Sequence, residues 1–511
     1  MTLLRFAPSP TGSLHLGGLR MALYNHLYSR KNNGKWILRI EDTDATRYVP
    51  GAVQEIQAVL LWAGLDYDFG PGKNGPHGPY FQSKRLDLYQ DYAKKLLESG
   101  HAYRCFCSLD TLTETREKLA RTGSNLTYDK RCLHLTDEEV ARRVKAGEKS
   151  VIRLNDGTLP DRSTVRDLVF GEIRDAHLSL GTDPILLKSD LYPTYHLASV
   201  VDDHEMGITH VLRGEEWIPS LPLHLDLYAS LKLQPPRFAH IPILLNPDGS
   251  KMSKRTGDVS VVEYIRNGWE PEALLNWLAL TGWGARHQPM SPFSSSTAQR
   301  QVQAAPDSTS ILPLPSLISQ FDLTALTHRS SSLDQQKLRY LNRQHIALKA
   351  ATPEGLHQLA MRVHGLVKEV FPHSLYASVE NTKKAVVALE GRLENMAFLP
   401  VLVPYLFEDP NLASPEARSM LSSRKITEEQ REPLNDMSQP ETNPKSKQDQ
   451  PREWVPETLY HVLHEEQKRL GVQLKMFMLT LRHALTGMKD GPGIVQIMCV
   501  LGKERTMKRL R

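Results

Sequence analysis

Cysteine and long apolar runs are scarce in this chain. Four cysteines among 511 residues are too few for a disulfide framework, so we expect a reducing compartment. No apolar run approaches the ~18 residues that a membrane span needs, so we expect no membrane partner. The first residues, Thr2 to Phe6, already have the pattern of a strand, and no signal or transit segment is predicted in the chain as given.

Length and charge set the next limits. A chain of 511 residues is too long for one ordinary core, and three or more domains are expected at ~150 residues each. The formal net charge is only +5. The segment from Pro456 to Arg511, however, holds ten Lys/Arg against five Asp/Glu. Such a basic end suits a phosphate backbone, although a solvated helix face has the same composition.

The beginning of the chain alternates strand and helix patterns. Apolar strands are predicted at Thr2 to Phe6 and Trp36 to Ile40. Helical periodicity runs from Leu16 to Arg30 and returns in a segment that contains Val53 and Leu60. This alternation predicts an α/β fold with a doubly wound, Rossmann-like parallel sheet.

The pattern changes near His101 and returns to α/β near Tyr195, so we interpret the segment between as an insertion that interrupts the sheet. It contains short predicted strands at Val151 to Leu154 and Asp167 to Phe170. From about Phe321 onward the periodicity is helical. Two stretches rich in Ser, Pro, Gln and Asn are predicted to be unstructured. The two stretches are residues 288–315 and 429–453. The predicted domains comprise residues 1–100, 101–190, 191–256, 257–330 and 331–511.

A loop with two prolines and several glycines, Pro8 to Gly18, leads from the first strand into the first helix. A helix N-terminus offers N–H groups and a positive dipole end to a triphosphate. Gly17 and Gly18 remove side chains where an adenine could lie against backbone, and His15 could donate to phosphate oxygens. Taken alone, a turn histidine beside packing glycines is the more common interpretation.

A second motif, Lys251-Met-Ser-Lys-Arg255, follows turn residues and forms a basic loop. A solvated basic loop is the usual interpretation of such a cluster. Here it occurs where the second half of the sheet is predicted to end. The loop with His15 and the basic loop would come from opposite halves of one sheet and lie on either side of a triphosphate. The two motifs together are therefore stronger evidence for a nucleotide site than either motif alone.

These motifs resemble those of class I aminoacyl-tRNA synthetases: the histidine loop is similar to their HIGH motif and KMSKR to their KMSKS motif. The words RFAPSPTG, RIEDTD, GPYFQS, SDLYPTYHLASVVDDH and VLRGEEW resemble glutamyl-tRNA synthetases of bacterial type. The similarity covers about residues 3–285 and resumes near the C-terminus. It departs at Ser199, where the family often has an asparagine that touches the amino acid, so that contact is not carried over.

The resemblance implies a function for each predicted domain. An acceptor-stem-binding domain would occupy 101–190, a stem-contact region 257–330, and a C-terminal all-α anticodon-binding region 331–511. The chain would act as a monomer on tRNA-Glu, and whether tRNA-Gln is also charged stays open. Members of the family generally need bound tRNA before they activate glutamate.

The substrate side can be checked against physical chemistry. Glutamate carries a γ-carboxylate, whereas glutamine carries an amide at the same position. A guanidinium group binds a carboxylate through two parallel hydrogen bonds and, having no acceptor, disfavours an amide. Arg5 and Arg213 lie at the ends of predicted strands, where ligands of such sheets bind. The resemblance implies that these two bind the side chain and that Glu41 binds the α-ammonium. The full predicted glutamate set is Arg5, Ala7, Ser9, Glu41, Tyr195 and Arg213.

The resemblance also implies the nucleotide site. ATP with Mg²⁺ would be the second substrate, the metal being held mostly by the phosphates. Catalysis would consist of positioning and charge stabilisation, with no covalent enzyme intermediate. His15, Lys251 and Lys254 are the predicted catalytic residues, and the predicted ATP-binding set is His15, Gly17, Gly18, Glu216, Lys251 and Lys254.

The inserted segment holds a candidate metal site. Cys105, Cys107, Cys132 and His134 offer three thiolates and an imidazole, which are ligands that tetrahedral zinc accepts. The C-x-C and C-x-H spacings are tighter than those of common zinc fingers. Buried small apolar cysteines are the alternative, and that interpretation is preferred for Cys499 in its apolar helix.

Three other functions share parts of this pattern. A paralogue that glutamylates a tRNA base has the catalytic half without an anticodon domain, and the helical region argues against it. Glutaminyl-tRNA synthetases usually carry a β-barrel anticodon domain. A catalytically inactive RNA-binding protein would not be expected to keep His15, Glu41, Arg213, Lys251 and Lys254.

The expected compartment is the mitochondrial matrix, with the bacterial cytoplasm as the alternative. The catalytic words are bacterial in type, whereas the two polar stretches are common in eukaryotic chains. A bacterial-type enzyme in a eukaryote indicates an organelle, and the matrix suits reduced cysteines.

Overall fold

The described part of the chain forms an α/β unit and a helical unit. The structure, a computed structural model, describes residues 1–161, 165–173, 181–246, 248–250, 260–283, 308–422 and 454–510. The first unit comprises Met1–Tyr264 and Leu274–Gln335, and the second comprises Ile265–Ala273 and Gln336–Arg511. The predicted class, an α/β fold with a helical C-terminal region, is confirmed.

Short strands and longer helices alternate up to residue 332. In chain order these elements are β1 Leu3–Phe6, α1 Leu16–Lys31, β2 Lys35–Leu38, α2 Ala52–Trp62, α3 Leu86–Glu98, β3 Ala102–Cys105, α4 Leu109–Arg121, α5 Asp137–Lys145, β4 Val151–Leu154, β5 Arg166–Asp167, β6 Gly171–Glu172, β7 Ile185–Leu187, α6 Tyr195–Glu205, β8 His210–Gly214, α7 Leu221–Ser230, β9 Arg237–Ile241, β10 Leu244–Leu245, α8 Val261–Arg266, α9 Pro271–Leu280, α10 Leu314–Gln320 and β11 Ser331–Ser332.

Parallel strands form the centre of the first unit. Strand β1 pairs with β2, and β8 pairs with β9. The two pairs are joined because Thr209 N donates to Leu3 O at 2.9 Å, so β1 lies between β2 and β8. All four residues of β1 are buried, as expected of a central parallel strand. The carboxyl ends of these strands therefore meet at one edge, where α/β sheets bind ligands.

The segment predicted as an insertion has a different sheet. Strands β3, β4 and β7 pair antiparallel in that order. Strand β5 pairs antiparallel with β6, and Leu168 N donates to Phe238 O of β9 at 2.8 Å. The inserted segment thus packs back onto the second half of the parallel sheet.

The helical unit is built from eight helices in the described residues. They are α11 Gln335–Ala350, α12 Pro353–Val370, α13 Val379–Ala388, α14 Leu399–Leu402, α15 Pro415–Ser422, α16 Pro456–Arg469, α17 Leu474–Thr486 and α18 Ile494–Leu510. Apolar residues from all of these helices except α15 contribute to one continuous core. Within this unit, fully buried Glu270 accepts from Lys349 at 3.0 Å and pairs with Arg362. In the described residues, no helix is both long and apolar enough to cross a bilayer.

Two predicted elements differ in detail. The strand predicted at Asp167 to Phe170 ends at Asp167, because its carboxylate accepts the Val169 and Phe170 N–H groups at 2.9 Å and turns the chain. The unstructured stretch predicted to end at Pro315 ends earlier, since helix α10 begins at Leu314; proline is tolerated in a first helical turn. Residues 288–307 and 429–453 lie outside the described residues.

Candidate active site

A cavity of about 380 Å³ opens at the carboxyl ends of the parallel strands. It is bordered by the loop after β1, the start of α1, the residues after β2, the start of α6 and the end of β8. The predicted glutamate and nucleotide residues that line it are Arg5, Ala7, Ser9, His15, Gly17, Gly18, Glu41, Tyr195, Arg213 and Glu216. Lys251 and Lys254 lie outside the described residues, so their predicted roles stay predictions.

His15 begins helix α1. Its Nδ1 accepts from Gly18 N at 3.1 Å, which caps the helix. A side chain at Gly17 would place its Cβ 3.1 Å from the His15 ring, and one at Gly18 would place it 2.6 Å from Leu14 Cδ1. A side chain at either position would therefore require the His15 ring or the Leu14 side chain to shift. The two glycines also bring the backbone of the first helical turn to the cavity, where an anion benefits from the helix dipole.

Arg5 is held by a buried carboxylate. Its Nε donates to Asp203 Oδ1 at 3.0 Å, and Arg39 Nη1 donates to the same oxygen at 2.6 Å. Arg5 is 4% exposed and Arg39 is fully buried. Burial would raise the pKa of Asp203, but Arg5 and Arg39 outweigh that effect, and the pKa lies below its ordinary value. Asp203 is therefore ionised and locks both guanidinium groups behind the strand ends.

Arg213 has a different set of neighbours. Its Nε donates to His240 Nε2 at 3.0 Å, and its Nη1 lies 3.3 Å from His224 Nδ1 and 3.4 Å from Tyr195 Oη. Its Nη2 donates to Trp217 O at 3.3 Å. Burial lowers the pKa of His224 well below its ordinary value, so this ring is neutral. In the described part of the chain, Arg213 is thus oriented by uncharged acceptors and keeps its full positive charge beside the cavity.

Glu41 is one of the two glutamates that line the cavity, with Glu216. Arg39 Nη2 donates to its Oε1 at 3.3 Å. Burial raises the pKa of the Glu41 carboxyl above its usual value, against the opposing effect of Arg39 and Arg5. A carboxylate in this position favours a cationic ligand, because an ammonium would replace the hydration that burial has removed.

Several residues around the cavity were not predicted. Arg39 and Asp203 belong to the charged words RIEDTD and VVDDH, and the signal for them was a charged residue inside an apolar strand or helix. Trp217 packs against Tyr195 with ring centroids 4.1 Å apart and ring planes tilted by 32°, and it also lines the cavity. Ser199 is fully buried in α6 and is not among the residues that line the cavity, which agrees with leaving its contact out.

A separate cluster of sulfur atoms lies in the inserted segment. The Sγ atoms of Cys105, Cys107 and Cys132 lie within 4.8 Å of one another. His134, the fourth predicted ligand, is exposed and is not part of this group. The Tyr128 hydroxyl is close instead, at 3.4 Å from Cys105 Sγ and 3.7 Å from Cys107 Sγ.

The cavity has the chemistry of a site for an acidic amino acid beside a nucleotide. Among the groups that line it, the guanidinium groups of Arg5 and Arg213 and the carboxylate of Glu41 complement the two carboxylates and one ammonium of a dicarboxylic amino acid. The start of α1 and His15 add a region suited to phosphate oxygens. Because all of these groups border one cavity, a carboxylate and a phosphate could be held side by side.

Comparison with known proteins assigns the class. Residues 2–339 match the family described as "tRNA synthetases class I (E and Q), catalytic domain", and residues 357–511 match "Anticodon binding domain". The chain belongs to this family of class I tRNA synthetases.

Its relatives narrow the class further. The chain is 37% identical to "Glutamate--tRNA ligase" of Alkaliphilus metalliredigens, over 99% of this chain and 97% of the relative. It is 37% identical to the protein of the same name from Thermus thermophilus, over 100% of this chain and 99% of the relative. Among solved structures, a glutamate tRNA ligase from Elizabethkingia meningosepticum in complex with its amino acid matches with a TM-score of 0.81 at 29% identity, covering 100% and 98% of the two chains.

The Asp203 bridge leads to a prediction about stability. Replacing Asp203 by alanine leaves two buried guanidinium groups without their shared anion, and we expect the free energy of unfolding to fall by about 3–5 kcal/mol. Urea unfolding at neutral pH measures the change. Since the pKa of Asp203 is depressed, the stabilisation is present at neutral pH and is lost as the pH falls through that depressed pKa.

Asp91→Ala is the matched control, because Asp91 is an exposed acid on helix α3. We expect it to change the free energy of unfolding by less than about 0.5 kcal/mol. An Asp203→Ala protein that unfolds at the native urea concentration would contradict the role given to the bridge.

Proposed function

We propose that this chain is a glutamate–tRNA ligase, which activates L-glutamate with ATP and transfers it to the 3′-terminal adenosine of tRNA-Glu. The observation that carries the proposal is the placing of Arg5, Arg213 and Glu41 around one cavity beside the start of α1. Full-length similarity to proteins named glutamate–tRNA ligase supports the same activity.

The amino acid is recognised by charge. Arg213 and Arg5 bind the γ-carboxylate of glutamate, and Glu41 accepts from its α-ammonium. Arg213 contributes most to selectivity, because the acceptors that orient it are uncharged and its positive charge is left for the ligand. The neutral amide of glutamine would gain much less from such a cation.

The nucleotide lies at the start of α1. Backbone N–H groups near Gly17 and Gly18 and the His15 side chain contact phosphate oxygens, and Glu216 lines the same cavity. The predicted contribution of Lys251 and Lys254 to ATP binding rests on their sequence motif. Mg²⁺ enters with ATP as part of the substrate complex.

Two displacement steps follow. An oxygen of the glutamate α-carboxylate forms a bond to the α-phosphorus of ATP, and the bond from that phosphorus to pyrophosphate breaks. A ribose hydroxyl of the terminal adenosine then forms an ester with the glutamyl carbonyl carbon, and AMP leaves as the hydroxyl gives up its proton. His15 and the lysines stabilise negative charge on the phosphate oxygens, which is the main catalytic contribution.

The helical unit is proposed to bind the anticodon region of tRNA. The match of residues 357–511 to an anticodon-binding domain supports this. The excess of Lys/Arg between Pro456 and Arg511 adds attraction to the phosphate backbone. Charging of purified tRNA-Glu and tRNA-Gln, side by side, determines how far this unit discriminates between them.

The sulfur cluster fits a structural zinc ion. Sulfurs bound to one tetrahedral zinc at ~2.3 Å lie about 3.8 Å apart, and Cys107 Sγ and Cys132 Sγ are 3.6 Å apart. Cys105, Cys107 and Cys132 would hold the ion, with the Tyr128 oxygen rather than the exposed His134 as the fourth ligand. Bound zinc would cross-link β3 to the turn at Cys132 and stabilise the inserted segment.

The reaction itself tests the proposed function. Purified protein, glutamate, ATP and tRNA-Glu together are expected to give glutamyl-tRNA, with glutamate-dependent ATP–pyrophosphate exchange when tRNA is present. Product formed from glutamine and not from glutamate would reject the proposal.

Arg213→Ala is expected to lower kcat/KM for glutamate, because the γ-carboxylate loses its charged partner. The loss of transition-state stabilisation should exceed about 2 kcal/mol. The KM for ATP should change little. Arg237→Ala is the control, since Arg237 is an exposed arginine on the neighbouring strand β9. Native glutamate kinetics in Arg213→Ala would show that this guanidinium does not bind the substrate.

Metal analysis tests the zinc site and its fourth ligand. We expect about one zinc per chain, and Cys105→Ser should lose it. Tyr128→Phe should weaken zinc retention during washing with a chelator, whereas His134→Ala should retain the metal. If His134→Ala lost zinc and Tyr128→Phe retained it, His134 would be the fourth ligand. Full activity in protein without zinc would show that the cysteines are apolar core residues and not metal ligands.

The mitochondrial matrix remains the proposed compartment, on the basis of bacterial-type motifs combined with polar low-complexity stretches. Fluorescent tagging of the full-length genomic product in its own cells is the measurement. A purely cytosolic signal would reject the organellar location and leave the chemistry unaffected.

A further inference from the structure

A line of buried polar groups lies behind Arg213 and away from the cavity. Arg213 Nε donates to His240 Nε2 at 3.0 Å, and His240 Nδ1 lies 2.7 Å from Asp167 Oδ2. Asp167 is 2% exposed and His240 is fully buried. Neither residue lines the cavity, so neither can contact a ligand there.

The donors and acceptors in this line have only one consistent arrangement. A guanidinium Nε–H can only donate, so His240 Nε2 must be the acceptor. In the neutral ring the proton is then on Nδ1 and is donated to Asp167. Burial lowers the pKa of His240 below its ordinary value, although Asp167 opposes the effect. The ring is therefore neutral at physiological pH, in the tautomer that Asp167 selects.

Asp167 is itself fixed by backbone. Its Oδ1 accepts from Val169 N and Phe170 N, each at 2.9 Å, and its Oδ2 accepts from His240 N at 3.0 Å. These bonds hold the carboxylate against both the turn after β5 and strand β9. The carboxylate is therefore held in one orientation by N–H donors from two segments of the chain.

The intervening imidazole determines how much charge Arg213 presents. Arg5 and Arg39 each pair directly with Asp203, and that carboxylate offsets part of their combined charge. Arg213 meets a neutral ring instead, and the compensating carboxylate of Asp167 stands one residue further back. The side chain is thus oriented like an ion-paired arginine while its positive charge remains available to an anion.

We propose that Asp167 and His240 are positioning residues for the side-chain carboxylate of the amino-acid substrate. Asp167 sets the tautomer of His240, and His240 orients Arg213 without neutralising it. This inference rests on the proposed function, since it assumes that Arg213 binds the glutamate γ-carboxylate. It also gives the inserted segment, through strand β5, a role in the amino-acid site.

Asp167→Asn is the informative variant. Asparagine keeps the acceptor for the Val169 and Phe170 N–H groups, but its amide group can donate to His240 Nδ1. That would move the ring proton to Nε2, where it faces the Arg213 Nε–H. We expect the KM for glutamate to rise about tenfold or more, as when a buried donor loses its acceptor. The KM for ATP should change little, whereas the melting temperature should fall somewhat, because the amide NH2 replaces the oxygen that also accepts from His240 N.

The second variant, His240→Gln, replaces the imidazole by a side chain that has no tautomers. In His240→Gln the side-chain oxygen can accept from Arg213 Nε whatever residue 167 does, so we expect only a small rise in the KM for glutamate. Asp167→Asn introduced into His240→Gln should then add no further loss. Asp190→Asn is the control: exposed Asp190 caps a turn through Tyr192 N at 3.0 Å and contacts no histidine in the described residues.

The measurements are glutamate-dependent ATP–pyrophosphate exchange with tRNA, using the full chain, and thermal unfolding. The inference is overturned if Asp167→Asn leaves the KM for glutamate within about twofold of native, or if its cost is equally large in the His240→Gln background. The second result would show that Asp167 only caps its turn. If the native chain itself gives no glutamate-dependent exchange, the proposed function fails, and this inference fails with it.

Discussion

Burying cations at the ends of parallel strands is the constraint on which the site depends. A guanidinium removed from water is costly unless an anion and further hydrogen bonds replace its hydration. Asp203 provides this for Arg5 and Arg39 together, from a helix that follows the inserted segment. The helical unit shows the same solution at buried Glu270, with Lys349 and Arg362 as partners. In both cases one carboxylate holds two cations and so fixes elements that are distant in the chain.

Within that arrangement, the two arginines at the cavity are not equivalent. Arg5 is paired with Asp203, whereas Arg213 is surrounded by imidazole, phenol and carbonyl acceptors. A paired guanidinium contributes mainly shape and hydrogen bonds to a ligand, and an unpaired one also contributes net charge. Discrimination between an acid and its amide depends on net charge. The division of roles between the two arginines therefore follows from what lies behind each of them.

Much of this site could be predicted, because several of its residues lie in short segments next to predicted strands and helices. Arg5, Glu41 and His15 lie in short words that follow strands or begin a helix, and strand ends in α/β sheets meet at one edge. The pairing of Asp203 and Asp167 could not be predicted, since their partners are 198 and 73 residues away in the chain. His134 was predicted from spacing, whereas the hydroxyl of Tyr128 lies nearer the sulfurs. Spacing along a chain does not specify which side chain a turn directs inward.

The bonds that join β1 to Thr209, directly before β8, have a consequence for synthesis on the ribosome. Leu3 bonds to Thr209, 206 residues later in the chain. At the usual ~5–20 residues per second, the first strand waits roughly 10–40 s for its neighbour on that side. During this time β1 can pair with β2 only, and its other edge is unpaired. An exposed apolar strand edge is a template for wrong pairing, so the nascent chain has reason to depend on a chaperone that binds extended apolar segments until the second half-sheet emerges.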